Sequence, residues 1–125
     1  MVKNMMIEDV VTAKSDTTAR EIIKTMREKH VGSVIITDNE ERCLGIFTER
    51  DAIRIVASDV PLGTPIEQVM TQNVATIGEE ASLEEAKRLI ISHGGIRHLP
   101  VVDDKGKLVG LFSVRKLLDE VFGIA

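Results

Sequence analysis

The residues best suited to chemistry lie in two short runs that share a pattern. Thr48-Glu49-Arg50-Asp51 puts a hydroxyl and a carboxylate one helical turn apart, and Ser113-Val114-Arg115-Lys116 repeats the hydroxyl with a lysine in the acid's place. A hydroxyl at the mouth of a helix lies beside free amides and the positive dipole end, an arrangement that favours phosphate. A carboxylate can accept hydrogen bonds from two hydroxyls at once, and its charge makes such bonds stronger than neutral ones. Thr48-x-x-Asp51 is also nearly a capping box, with a shorter acid at the third helical position. The second run bears on that choice. It keeps the cap, Ser113, but puts Lys116 where a lysine is mildly unfavourable against the helix dipole. The fold therefore does not demand an acid there, which favours a ligand role for Asp51.

A third group is basic. It comprises Arg97-His98 and Arg115, and a guanidinium fork can donate to two oxygens of one group at once. The plainer reading of Arg97 and His98 is a surface pair flanking a strand. Ile46, Ile96 and the Val69-Met70-Thr71 segment are first of all core residues. Cys43 has no activating neighbour in the sequence and reads as an inert thiol. His30 and His93 sit at predicted helix ends, where the dipole favours them. No Ser-His-Asp set and no metal-spaced cluster suggests itself, so neither catalysis nor a metal is expected.

Composition narrows the classes further. At 125 residues, 43% apolar and 29% charged, the chain reads as a soluble globular protein. A formal charge of −4, no Trp, no Tyr and 3 Phe argue against a nucleic-acid binder, which needs a basic surface or stacking aromatics. No apolar run approaches the roughly 18 residues that cross a bilayer. The first residues meet Glu8 too early for a secretory leader, and a lone Cys43 forms no internal disulfide. The expected location is the cytoplasm.

The elements that must position these residues come in two copies. Sliding the sequence along itself places Met6 on Met70, Val10 on Val74, Thr12 on Thr76, Thr18 on Ser82 and Glu21 on Glu85. Past one extra residue near Gly94-Gly95, Asp38 falls on Asp103, Gly45 on Gly110, Phe47 on Phe112, Thr48 on Ser113 and Arg50 on Arg115. Each copy predicts a short strand (Val10 to Thr12; Val74 to Ile77), then a capping box (Thr18 with Glu21; Ser82 with Glu85) opening a helix. A β-branched strand, a polar turn at Asp38 or Asp103, a second strand and a closing helix follow. The closing helices carry Ile53, Ile55 and Val56 in one copy and Leu117, Leu118, Val121 and Phe122 in the other. The expected fold is thus α+β, two β-α-β-β-α repeats related by a pseudo-twofold axis. Repeat 1 takes residues 1–57, a Pro- and Gly-bearing linker 58–65, and repeat 2 residues 66–125. One copy alone buries little apolar surface; two packed together are expected to leave two equivalent clefts suited to small molecules. The methionines Met5, Met6 and Met70 read as gap-fillers between the repeats.

At this point the sequence resembles the cystathionine-β-synthase (CBS) domain pair, or Bateman module, from about Val2 to Phe122. The resemblance rests on Gly45-Ile46-Phe47-Thr48-Glu49-Arg50-Asp51 and Gly110-Leu111-Phe112-Ser113-Val114-Arg115-Lys116, supported by Val69-Met70-Thr71 and by Arg97 to Asp103. It implies a regulatory module that binds AMP, ADP, ATP or S-adenosylmethionine, with no required cofactor and no catalysis of its own. AMP is the first expectation. The resemblance makes Asp51 the acceptor of the ribose hydroxyls and Thr48 a phosphate donor. It puts Arg97, His98 and Arg115 on the phosphate, and Ile46, Ile96, Val69 and Thr71 around adenine. The opposite cleft, with Gly32, Ser33 and Lys116, lacks both the acid and the basic pair, so a single nucleotide site is expected. The resemblance further implies a homodimer and an effector enzyme or transporter as partner. The competing reading is a ligand-free dimerisation module.

Overall fold

The computed structural model describes residues 1–94, 96–115 and 118. It divides into two compact units, Val11–Val74 and a second made of Met1–Val10 with Ala75–Ala125. In the first, strand β1 (Thr12–Lys14), helix α1 (Ala19–Lys29), strands β2 (Ser33–Thr37) and β3 (Cys43–Thr48) and helix α2 (Glu49–Ala57) follow in order. The sheet runs β1-β2-β3, with β1 parallel and β3 antiparallel to the central strand. In the second, β4 (Ile77–Gly78), α3 (Leu83–Ser92), β5 (His98–Val102) and β6 (Leu108–Ser113) repeat that plan in a sheet ordered β4-β5-β6. The expected closing helix of this copy, with Lys116, Leu117, Val121 and Phe122, lies largely outside the described residues.

The opening strands lie further along than the apolar pattern suggests, at Thr12–Lys14 and not Val10–Thr12, and at Ile77–Gly78 and not Val74–Ile77. Pairing decides it. Val11 already gives its carbonyl to the Ile35 amide, and Lys14 closes the strand by donating to the Thr37 hydroxyl and the Asp38 carbonyl. Both helix caps form, with Thr18 accepting the Glu21 amide at 3.2 Å and Ser82 the Glu85 amide at 3.1 Å. Neither glutamate reaches back; the reciprocal contact of a capping box is made at Thr48 and Asp51 alone among the described helices. Glu21 and Glu85 are exposed, and holding a long side chain in one geometry costs rotamer entropy that water does not demand. The chain from Val60 to Thr64 also serves α1: the Leu62 and Thr64 carbonyls accept the Arg20 and Ala19 amides, two of the donors a helix start leaves open.

Each sheet packs its helix over an aliphatic core. Ile22, Val34, Ile36, Phe47, Ile55 and Ile66 are buried in the first unit, and Val2, Leu99, Val101 and Phe112 in the second. On α2 the inward residues are Asp51 and Ile55; Ile53 and Val56 are 71% and 62% exposed. The compact units do not follow the sequence repeats. Met70 and Thr71, from the second repeat, lie along β3, where Thr71 and Ile46 exchange backbone hydrogen bonds of 2.9 and 3.0 Å. Ile7, from the first repeat, does the same with Leu111 of β6. Met70 and Met6 cross these strands at Gly45 and Gly110, where a side chain would collide with their sulfurs. The methionines are therefore packing partners of the facing glycines.

Candidate functional site

The turn from β3 into α2 sets the site. Phe47 is fully buried, and Thr48 leaves the strand with extended backbone (φ −117°, ψ 173°), the conformation a helix N-cap needs. Its amide donates to Asp51 Oδ2 at 2.9 Å, its hydroxyl approaches the same oxygen at 3.2 Å, and it accepts the Asp51 amide at 3.4 Å. Asp51 lies on the inward face of α2 and is only 7% exposed. Its other oxygen, Oδ1, accepts from the Thr71 hydroxyl at 2.9 Å and from Arg54 Nη2 at 3.3 Å. That same Arg54 nitrogen donates to the Val69 carbonyl at 2.5 Å. A buried carboxylate is costly unless its lone pairs are met, and here all of its partners are donors.

Ile46, Thr48, Asp51, Val69 and Thr71 are thereby brought together in the Val11–Val74 unit. Ile46 and Val69 are buried and supply the apolar surface beside the polar cluster. The capping-box reading of Thr48 and Asp51 is realised. It admits the other only by exchange of donors, because the box engages Oδ2 while the Thr71 hydroxyl and Arg54 occupy Oδ1. Sequence reasoning missed Arg54. Its signal was the Asp51-x-x-Arg54 spacing, which places opposite charges on one helix face.

The remaining candidates belong to the second unit. Arg97 and Arg115 are exposed, and Ile96 is half-buried against the second core. The Arg97 carbonyl accepts the Val114 amide at 3.0 Å, and His98 stands opposite Ser113 where β5 meets β6. In the first unit the corresponding bond joins Glu49 to Gly32, and the Glu49 carboxylate lies over Gly32, where a Cβ would come within 2.8 Å of it. The position that carries a guanidinium in one unit is thus a glycine in the other, covered by the Glu49 carboxylate. Burial pushes the Cys43 thiol above its ordinary value, in keeping with an inert residue. Among the described residues no group of His, Cys, Asp and Glu is placed to hold a metal ion. No helix among them is long and apolar enough to cross a membrane.

Two sheets of the same topology, each ending in a hydroxyl residue, define a tandem repeat, and comparison with known proteins gives that repeat its class. The CBS domain matches twice, at residues 2–58 and 66–123, and the chain belongs to the CBS-domain family. An uncharacterized protein of Methanopyrus kandleri is 39% identical over 112 residues, covering 88% of this chain and 57% of its own length. The chain spans 57% to 65% of the length of the curated relatives it matches first. A CBS domain protein of Pyrobaculum aerophilum, solved in complex with AMP, is 28% identical with a TM-score of 0.86, covering 93% of this chain and 88% of that one. The CBS domain pair of another protein, solved with 5′-methylthioadenosine and S-adenosyl-L-methionine, is 26% identical with a TM-score of 0.87, covering 98% and 95%.

Proposed function

We propose that this CBS pair is a regulatory module that binds one adenine nucleotide, AMP foremost, and performs no catalysis itself. The observation that carries the reading is Asp51: a buried carboxylate on the inner face of a helix start, with two exchangeable threonine hydroxyls among its donors and apolar Ile46 and Val69 alongside. A ribose presents two vicinal hydroxyls that can take the place of those two. The AMP and S-adenosylmethionine complexes of the similar structures support an adenosine ligand. Arg97, His98 and Arg115 are proposed as the phosphate-recognising set, with Ile96 beside adenine, on the strength of the resemblance. The output passes to an effector enzyme or transporter through a shift between states of different nucleotide affinity.

The test is calorimetric titration with AMP, ADP, ATP, S-adenosylmethionine and GMP; with neither Trp nor Tyr in the chain, intrinsic fluorescence offers little signal. Saturable binding of one adenosine ligand per chain, weakened at least about tenfold by Asp51→Ala (~1.4 kcal/mol), is the expected outcome. Heat-silent titrations at millimolar ligand would leave Asp51 a helix cap. A second reading, a homodimerisation module, is favoured by the exposed Ile53 and Val56 on α2. It predicts a dimer by sedimentation without nucleotide, lost on Ile53→Glu.

A further inference from the structure

The Asp51 carboxylate is fully engaged before any ligand arrives. An ionised carboxylate offers about four acceptor directions, and the Thr48 amide, the Thr48 hydroxyl, the Thr71 hydroxyl and Arg54 take them. A diol must displace two of these donors, and they are not equally able to leave. Each threonine hydroxyl can turn about a single C–O bond without moving a heavy atom, and once turned it can accept a hydrogen bond from the newcomer. The Thr48 amide is fixed by the helix start. Arg54 is fixed in another way: its Nη2 is shared between Asp51 Oδ1 and the Val69 carbonyl, which has no other partner among the described residues.

We infer that Arg54 is the positioning residue of this site, tying α2 to the Val69–Thr71 segment and holding Oδ1 so that a diol replaces the two threonine hydroxyls. The inference rests on reading Asp51 as a diol acceptor. The Arg54 side chain is 52% exposed and its contact with Asp51 is 3.3 Å, so the ion pair by itself contributes little. Its leverage lies in aim. The bond to Val69 fixes the segment whose Thr71 completes the carboxylate's surroundings, and a binding group held loosely by its supporting residues loses affinity out of proportion to its own contacts.

The test compares AMP with 2′,3′-dideoxy-AMP by calorimetry on the wild type, Arg54→Ala and Arg54→Lys, and adds hydrogen exchange on the ligand-free proteins. The wild type is expected to prefer AMP. Arg54→Ala should lose about fivefold to tenfold in AMP affinity and less than about twofold for the dideoxy nucleotide. Arg54→Lys, which keeps a charge but not the planar fork, should recover part of the AMP loss. In the ligand-free Arg54→Ala protein the Met70 and Thr71 amides, bonded to Ile66 and Ile46, should exchange faster. Equal losses for both nucleotides would reduce Arg54 to a structural role and overturn the inference, as would unchanged exchange at Met70 and Thr71. A wild type that binds both nucleotides equally, or neither, would instead overturn the diol reading of Asp51. The tie to Val69 would then stand or fall on exchange alone.

Discussion

Asp38 and Asp103 fill the same place in the two hairpins, and each turns its Oδ1 onto two backbone amides. Asp38 accepts from Glu40 and Arg42 at 2.8 and 2.9 Å, and Asp103 from Lys105 and Lys107 at 2.9 and 3.0 Å. Those bonds, the Arg42 and Lys107 amides first, hold both carboxyls below the ordinary aspartate value. A depressed folded pKa gives stability that is complete above the unfolded value near ~3.9 and drains away as pH falls through the folded one. The wild type should therefore lose melting temperature more steeply between about pH 5 and pH 3 than Asp38→Asn/Asp103→Asn, whose neutral amides keep an acceptor. Parallel slopes in a thermal-melt series across that range would show the turns to be insensitive to charge. These turns were legible from composition and spacing, and so were Thr48 and Asp51. Arg54 was not, because its importance comes from Val69, which only folding brings to it.

At the scale of the element, the two glycines that face methionines are not equally constrained. A Cβ on Gly45 would lie 2.6 Å from the Met70 sulfur and 2.7 Å from the Thr71 carbonyl oxygen. That oxygen cannot retreat without breaking its bond to the Ile46 amide. On Gly110 the nearest atoms belong to the flexible Met6 side chain, and the Ile7 carbonyl oxygen is 3.1 Å away. Gly45→Ala should therefore cost about 1–3 kcal/mol by chemical denaturation, in the range of overpacked cores, and Gly110→Ala less. Equal costs would mean that the backbone beside Gly45 yields as easily as a thioether. The repeated glycines could be read from the sequence, but the atoms opposite them could not. Helix and strand types followed from periodicity and caps. Strand ends did not, because parallel pairing at Ile35 set β1 two residues beyond the apolar start at Val10.

Across the whole molecule, the sequence repeat and the compact unit are different cuts of one chain. The repeat is where similarity lies; the unit is where burial lies. Val2 belongs to the first repeat yet is fully buried in the second core, with its amide on the Ala81 carbonyl and that of Lys3 on the Glu79 carbonyl. Val2→Ala should cost about 2 kcal/mol for the lost burial and the cavity left behind. Its signature is regional: hydrogen exchange should quicken across residues 75–113 and stay unchanged across 11–74. Quickening confined to 11–74 would contradict the division into units. Self-alignment revealed the repeat, but an exchanged segment leaves no mark in a self-alignment, because its residues match their counterparts wherever they pack.

The exchange also orders events on the ribosome. Everything the Val11–Val74 unit needs emerges in one continuous stretch, and its borrowed Met70 and Thr71 follow soon after the β3 strand they pair with. The other unit must hold Val2 and Ile7 in reserve until Leu111 has been made. Closing so distant a pair is entropically dear and slow. Nascent chains should thus become protease-resistant in two stages, with the unit that carries Asp51 finished first and its neighbour completed only when Val2 and Ile7 find their partners.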